Sequence, residues 1–224
     1  MIICFHNEAW SVLVRTVRSV LDRSPQGLIH EVVLVDDCST QDHLKGRLEE
    51  WAAAASAGAG VPVRVVRAAK REGLIRARLL GLSASTGDVV TFLDSHCECT
   101  QGWLPPLLQR LRSEPRAVVC PVIDVISDSS LEYQWRRGGA RADAGINVGG
   151  FDWNLQFNWH AMPERLARQR EAEGKRGTEA IARRLPSPTM AGGLFAVRRD
   201  WFRRLGTYDP DLDIWGGENL ELFI

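Results

Sequence analysis

Lysine is scarce: Lys45, Lys70 and Lys175 are the only three, and arginine carries the rest of the positive charge. Net charge is missing as well, with 28 basic against 28 acidic side chains in 224 residues. That balance excludes bulk attraction to nucleic acid or to an anionic membrane as the main activity. No apolar run approaches the roughly 18 residues that a membrane-spanning helix needs. The five cysteines (Cys4, Cys38, Cys97, Cys99 and Cys120) form no Cys-x-x-Cys pair, which argues against a zinc ribbon and a disulfide framework. Glycine has no triplet period, so a collagen reading fails. Three catalytic loops are also missing: the Gly-x-Gly-x-x-Gly dinucleotide turn, the phosphate loop ending in Gly-Lys-Ser/Thr, and the Gly-x-Ser-x-Gly elbow.

What remains is a chain of 45% hydrophobic residues, long enough for one domain with a real core. Apolar runs at Ile2–Phe5, Val32–Val35, Val63–Val66, Val89–Leu93 and 117–126 alternate with helical stripes. One stripe runs through Trp10, Leu13, Val14, Val17, Val20 and Leu21, a second through Leu44, Leu48, Trp51, Ala52 and Ala55; Leu74 to Ser85 and Trp103 to Leu111 also read as helices. Unbroken apolar strands separated by helices predict an α/β fold with a mostly parallel sheet covered on both faces. After Ser127 the pattern loosens. Phe151 to Trp159 alternates aromatic and polar, predicting one half-exposed strand. Glu164 to Arg184 is charge-dense and reads as a solvated helix or loop. Leu194 to Val197 predicts a strand and Asp200 to Leu205 a short helix. The chain opens inside a strand and stops in mid-element at Leu222-Phe223-Ile224, so a fragment cut at both ends is expected.

Ligands of open parallel sheets bind beyond the carboxyl ends of the strands. Here those ends read His6, Asp36-Asp37 and Asp94-Ser95-His96, polar residues that should meet on one rim. Residues two apart on an extended backbone project to one side, so Asp94 and His96 are candidate ligands of one divalent cation. A mixed oxygen and nitrogen set with open positions suits manganese completed by diphosphate oxygens. Asp37 could accept from a ribose hydroxyl or a base N–H, or simply form a turn. Lys70 and Arg71, followed by Arg76 and Arg78 at the start of a helix, suggest an anion site or a solvated basic face. Gly192 and Gly193 would let a ligand approach the backbone. Trp215-Gly216-Gly217-Glu218-Asn219 supplies an aromatic face, a carboxylate and an amide, the groups that bind sugar hydroxyls. Together these point to a metal-held sugar nucleotide.

Seven motifs occur in order: Phe5-His6-Asn7-Glu8-Ala9, Val35-Asp36-Asp37, Arg71-Glu72-Gly73-Leu74, Leu93-Asp94-Ser95-His96-Cys97-Glu98-Cys99, Gly149-Gly150-Phe151-Asp152-Trp153, Met190-Ala191-Gly192-Gly193-Leu194-Phe195 and Trp215-Gly216-Gly217-Glu218-Asn219-Leu220-Glu221. The chain thereby closely resembles the polypeptide N-acetylgalactosaminyltransferases. The resemblance implies a GT-A type glycosyltransferase fold, with 1–126 as the nucleotide and metal half and 127–224 as the sugar and acceptor half. It implies transfer of N-acetylgalactosamine from its uridine diphosphate donor (UDP-GalNAc) to Ser or Thr of a polypeptide with retained configuration, the step that starts mucin-type O-glycosylation. Asp94 and His96 would hold Mn2+. His6, Asp37, Arg71, Ser95, Gly192, Gly193 and Trp215 would bind the donor, and Glu218 and Asn219 would act at the sugar. Phe157 and Trp159 would belong to the acceptor groove.

Such enzymes are usually Golgi membrane proteins with a luminal catalytic domain, anchored by a segment this chain lacks. A third metal-binding His, a lid loop and a lectin domain would lie beyond Ile224, and Cys4 stands where many relatives have Thr. With two protein ligands instead of three, little activity is expected of this chain alone. Retention is expected by front-face attack, with Glu218 the one obvious nucleophile for the double-displacement route. The competing reading is an inactive homologue that binds a nucleotide or a peptide. A sugar-nucleotide pyrophosphorylase would want a glycine-rich loop after the first strand, and none is present.

Overall fold

The computed structural model describes residues 1–134, 147–172 and 186–222, and it divides into two compact units. The first comprises Met1–Pro121 with Gly192–Leu222, the second Val122–Ala191. The sequence-based halves therefore shift: the segment from Gly192 folds with the first unit rather than with the residues that precede it.

The first unit is built on a six-stranded sheet in the order β3-β2-β1-β4-β10-β5. Strands β1 (Ile2–Phe5), β2 (Val32–Asp36), β3 (Val63–Arg67) and β4 (Val89–Asp94) are mutually parallel. All of β2 is buried, as expected for a strand covered on both faces. Ile3, Phe5 and Leu34 pack with Leu13, Val17 and Val20 of α1 (Trp10–Asp22) and with Leu48 and Ala52 of α2 (Gly46–Ala59). The opposite face meets α3 (Leu74–Ala84), where a Cβ on Gly81 would lie 2.5 Å from Ile2 Cγ2 and 2.9 Å from Val35 Cγ2. Only glycine allows the helix so close to the sheet. Helix α4 (Leu104–Ser113) buries Leu104, Leu107 and Leu111.

Two expectations are corrected. The predicted long strand over 117–126 is only β5 (Val118–Val119) in the sheet. Val125–Ile126 (β6) pairs instead with Tyr133–Gln134 (β7) in the second unit. The strand predicted near Leu194 exists as β10 (Phe195–Arg198) but runs antiparallel to both neighbours. Its anchor is aromatic: Phe195 lies 4.9 Å from Phe92 by ring centroids, and Phe202 of α6 (Arg199–Arg204) lies 5.7 Å from Phe92 and 5.3 Å from Tyr208. Each buried ring of this kind contributes about 1.5–3 kcal/mol.

In the second unit, the single strand predicted over Phe151–Trp159 is a hairpin of β8 (Asn147–Phe151) and β9 (Phe157–Ala161). The Asp152 carboxylate causes the break by accepting from the N–H groups of Asn154 and Gln156 at 2.9 and 3.0 Å, while Leu155 turns at φ 61°. Glycines 149 and 150 are part of β8; a Cβ on Gly150 would strike the His160 ring. Helix α5 (Glu164–Ala172) realises the first part of the charge-dense segment. The remainder of that segment lies outside the described residues.

Candidate active site at the strand ends

The parallel strands end level. Phe5 pairs with Asp36, Asp36 with Arg67, and Cys4 with Asp94, so His6, Asp37 and Asp94 follow from adjacent strand ends. This is the rim the sequence predicts, all of it within the first unit.

Asp37 is 2% exposed. Its two carboxylate oxygens accept from the N–H groups of Glu72 at 2.7 Å and Gly73 at 2.9 Å, and it pairs with Arg71. The carboxylate thus closes the amino end of α3 from another strand and aims Arg71, whose side chain is 42% exposed. Asp36 is equally buried and is held by Ser39 N–H and Arg67. His6 donates from Nδ1 to the Asp37 carbonyl at 2.8 Å. Partial desolvation, and then the Arg71 guanidinium, push its imidazole below the usual range. Asn7 sits at φ 50° and knits this corner together: it accepts from Thr40 N–H at 2.8 Å and donates to His6 Nε2 at 3.3 Å.

Asp94 is half-buried at the tip of β4, and Gly193 stands against it. A Cβ at Gly193 would lie 3.1 Å from Asp94 Cγ. His96 is exposed, and its Nδ1 donates to Glu8 Oε2 at 3.1 Å, leaving Nε2 for another partner. A carboxylate and an imidazole with one free nitrogen form a donor pair that suits a divalent ion of mixed oxygen and nitrogen preference. Among the described residues no third His, Cys, Asp or Glu joins them. Ser95 is 5% exposed and donates its hydroxyl to Glu8 at 2.7 Å, so it braces the loop between Asp94 and His96.

For Arg76 and Arg78 the sequence left open an anion site or a solvated basic face, and the structure pairs both within the protein. Arg76 pairs with Glu72 and Asp213, each at 2.9 Å. Arg78 is 1% exposed and lies among protein groups: the carbonyls of Gly192 at 2.8 Å and Gly193 at 3.1 Å, Asp94 Oδ1 at 3.5 Å and Glu218 Oε1 at 3.9 Å.

Glu218 opens the short helix α7 (Glu218–Glu221) and is 4% exposed. Its Oε2 is buried with no hydrogen-bond partner among the described residues. Gly192 is at φ +39°, and a Cβ there would lie 2.8 Å from Glu218 Oε1 and 3.3 Å from Asn219 Cβ. Glycine at 192 therefore lets Glu218 and the half-buried Asn219 pack closely against its backbone. Trp215 is 74% exposed. Its loop is pinned next to Arg71, since Gly73 bridges to Ile214 and Leu74 N–H donates to the Ile214 carbonyl at 2.7 Å. Phe157 and Trp159 stand in the second unit on one face of β9, their rings edge to face at 5.1 Å.

Sequence reasoning missed Glu8 as a site residue, although the Phe-His-Asn-Glu string contained it. It singled out Arg78 but not its part, which is to bind the Gly192 and Gly193 carbonyls from inside the fold.

The sequence model of the glycosyl transferase family 2 matches residues 1–206. The chain belongs to that family. It is 55% identical to polypeptide N-acetylgalactosaminyltransferase 5 of Caenorhabditis elegans over 99% of this chain and 33% of that protein. It is 50% identical to polypeptide N-acetylgalactosaminyltransferase 13 of Homo sapiens over 99% and 37%. The chain thus spans about a third of the length of these curated relatives. A crystal structure of GalNAc-T7 with UDP, GalNAc and Mn2+ superposes with a TM-score of 0.83 at 38% identity, covering 99% of this chain and 39% of that one. A mannosyltransferase of Pyrobaculum calidifontis shares the fold alone, at 18% identity and TM-score 0.59 over 97% and 48%. The fold is the GT-A glycosyltransferase type.

Proposed function

We propose that this chain forms the core of a manganese-dependent polypeptide N-acetylgalactosaminyltransferase. The enzyme moves N-acetylgalactosamine from UDP-GalNAc to Ser or Thr hydroxyls with retention, initiating mucin-type O-glycosylation. The observation that carries the reading is the orphaned Oε2 of Glu218 beside Gly192. A buried carboxylate oxygen without a donor is costly, and a ligand rich in hydroxyl groups supplies the missing bond. The identity to the transferases named above supports the same sugar.

Each residue has a role in this reading. Asp94 and His96 would hold Mn2+ with oxygens of the donor diphosphate. When bound, that ion supplies Lewis-acid stabilisation of charge on the leaving diphosphate. Arg71, aimed by Asp37, adds positive charge at the same place. His6 and Asp37 border the nucleotide side. Trp215 offers an apolar face to the donor, and Asn219 and Glu218 take sugar hydroxyls. Glu218 is a poor nucleophile here because it is buried and faces the Arg78 guanidinium at 3.9 Å. Front-face attack therefore fits better than double displacement, with the departing phosphate taking the acceptor proton. Phe157 and Trp159 offer an aromatic ledge to the acceptor peptide.

We assign the protein to the Golgi lumen, attached to the membrane through a segment outside this chain and with no nucleic-acid partner. The test is transfer of labelled GalNAc to a Ser/Thr peptide with and without Mn2+. Transfer that depends on Mn2+ is expected. Donor or peptide binding with no transfer by the full-length protein would favour the inactive-homologue reading.

A further inference from the structure

We infer that Glu8 is a positioning residue that sets the tautomer of His96 and presents its Nε2 to the metal; the inference rests on the metal reading above. Three contacts define the arrangement. Glu8 Oε1 accepts from Ala9 N–H at 2.9 Å, which fixes the carboxylate at the entry of α1. Glu8 Oε2 accepts from Ser95 Oγ at 2.7 Å and from His96 Nδ1 at 3.1 Å. The Glu8 carbonyl in turn accepts from His43 Nε2 at 2.9 Å, so the backbone is tied down as well.

A carboxylate can only accept, so the ring nitrogen facing it must carry the proton. With Nδ1 protonated, the lone pair sits on Nε2, the form that ligates a metal. A carboxylate behind a ligating imidazole fixes its orientation and raises its basicity. The same Oε2 holds Ser95, the residue between Asp94 and His96. One carboxylate therefore sets the ring of one ligand and the backbone between both. His96 itself is exposed, and among the described residues its ring has no other hydrogen-bond anchor, so without Glu8 it is free to rotate and to take the Nε2–H form that an unassisted imidazole prefers.

The experiment has two arms on the protein labelled with 15N-histidine, the His96 signal being identified by its loss in His96→Gln. In the metal-free protein in mildly alkaline solution, long-range 1H–15N spectra report which nitrogen of His96 carries hydrogen. Mn2+ binding in the presence of UDP is then followed by the electron paramagnetic resonance signal of free Mn2+. The expected results are an Nδ1–H His96 in the wild type and an Nε2–H His96 in Glu8→Ala. Mn2+ affinity should fall by about 10–100-fold in that variant. Glu8→Gln, whose amide oxygen still accepts from Nδ1, should keep the wild-type tautomer and lose less affinity. An Nε2–H His96 in the wild type would overturn the inference without any variant having to fold. Wild-type Mn2+ affinity in Glu8→Ala would overturn this inference alone. A wild type that takes up no Mn2+ would overturn both it and the metal reading beneath it.

Discussion

The guanidinium of Arg78 donates to the carbonyl of Gly192 at 2.8 Å, tying a buried cation on α3 to the glycine pair that precedes β10. The same side chain reaches Gly193 O, Asp94 and Glu218, and its guanidinium carbon lies 5.5 Å over the Phe92 ring. One arginine thus links Asp94, proposed to hold the metal, to Glu218, proposed to bind the sugar, through the loop between them.

Removing that charge leaves two carbonyls and two acidic groups without their partner. Arg78→Met should lower stability by about 3–5 kcal/mol, the usual effect of breaking a buried ionic cluster on one side. Chemical denaturation measures it. Arg78→Lys keeps the charge but has no planar fork to reach both carbonyls, and it should fall between wild type and Arg78→Met.

Gly193 gives Asp94 its space. In Gly193→Ala the new Cβ would lie 3.1 Å from Asp94 Cγ and press on its carboxylate. The expected outcome is weakened Mn2+-dependent UDP binding with a circular dichroism spectrum like that of the wild type. Gly192→Ala acts on the other side, against Glu218 and at φ +39°. It should raise the KM for the donor more than it weakens binding of UDP alone.

Asp37→Asn tests how Arg71 is aimed. The amide keeps one acceptor oxygen for the N–H groups of Glu72 and Gly73 and loses the charge that pairs with Arg71. Titration calorimetry should show UDP binding about tenfold weaker.

Glu31 gives the fold an acid limit remote from the rim. Burial pushes its carboxyl up, but Arg64 and the N–H and hydroxyl of Thr86 hold it down, from 4.5 to about 2. A carboxyl depressed on folding contributes stability that is fully present above its unfolded value and is lost as pH falls through the folded one. Melting temperatures should therefore drop as pH falls from about 4.5 towards about 2, and Glu31→Gln should flatten that part of the curve.

The parallel half of the fold was legible because its strands are buried on both faces and read as continuous apolar runs, as Val32 to Val35 does. The reversal of β10 was not, since strand direction depends on where Phe195 and Phe202 find Phe92 in space. The hairpin at Asp152 was hidden by aromatic alternation that continues across its turn. In the site, residues at strand ends were legible by position alone: His6, Asp37, Asp94 and His96 all stand there. Their division of labour was not. Asp37 and Ser95 look like purely ligand-facing groups in sequence, and only hydrogen bonds to Glu72, Gly73 and Glu8 show that they also brace the loops of the rim.

The central claim is that Asp94 and His96 together hold the ion that grips the donor diphosphate. UDP affinity measured by calorimetry with and without Mn2+, for the wild type, Asp94→Ala and His96→Ala, tests it most directly. The account predicts tight binding only for the wild type with Mn2+, and fold signals unchanged in all three proteins. Equal UDP affinity with and without the ion, or in either variant, would contradict it.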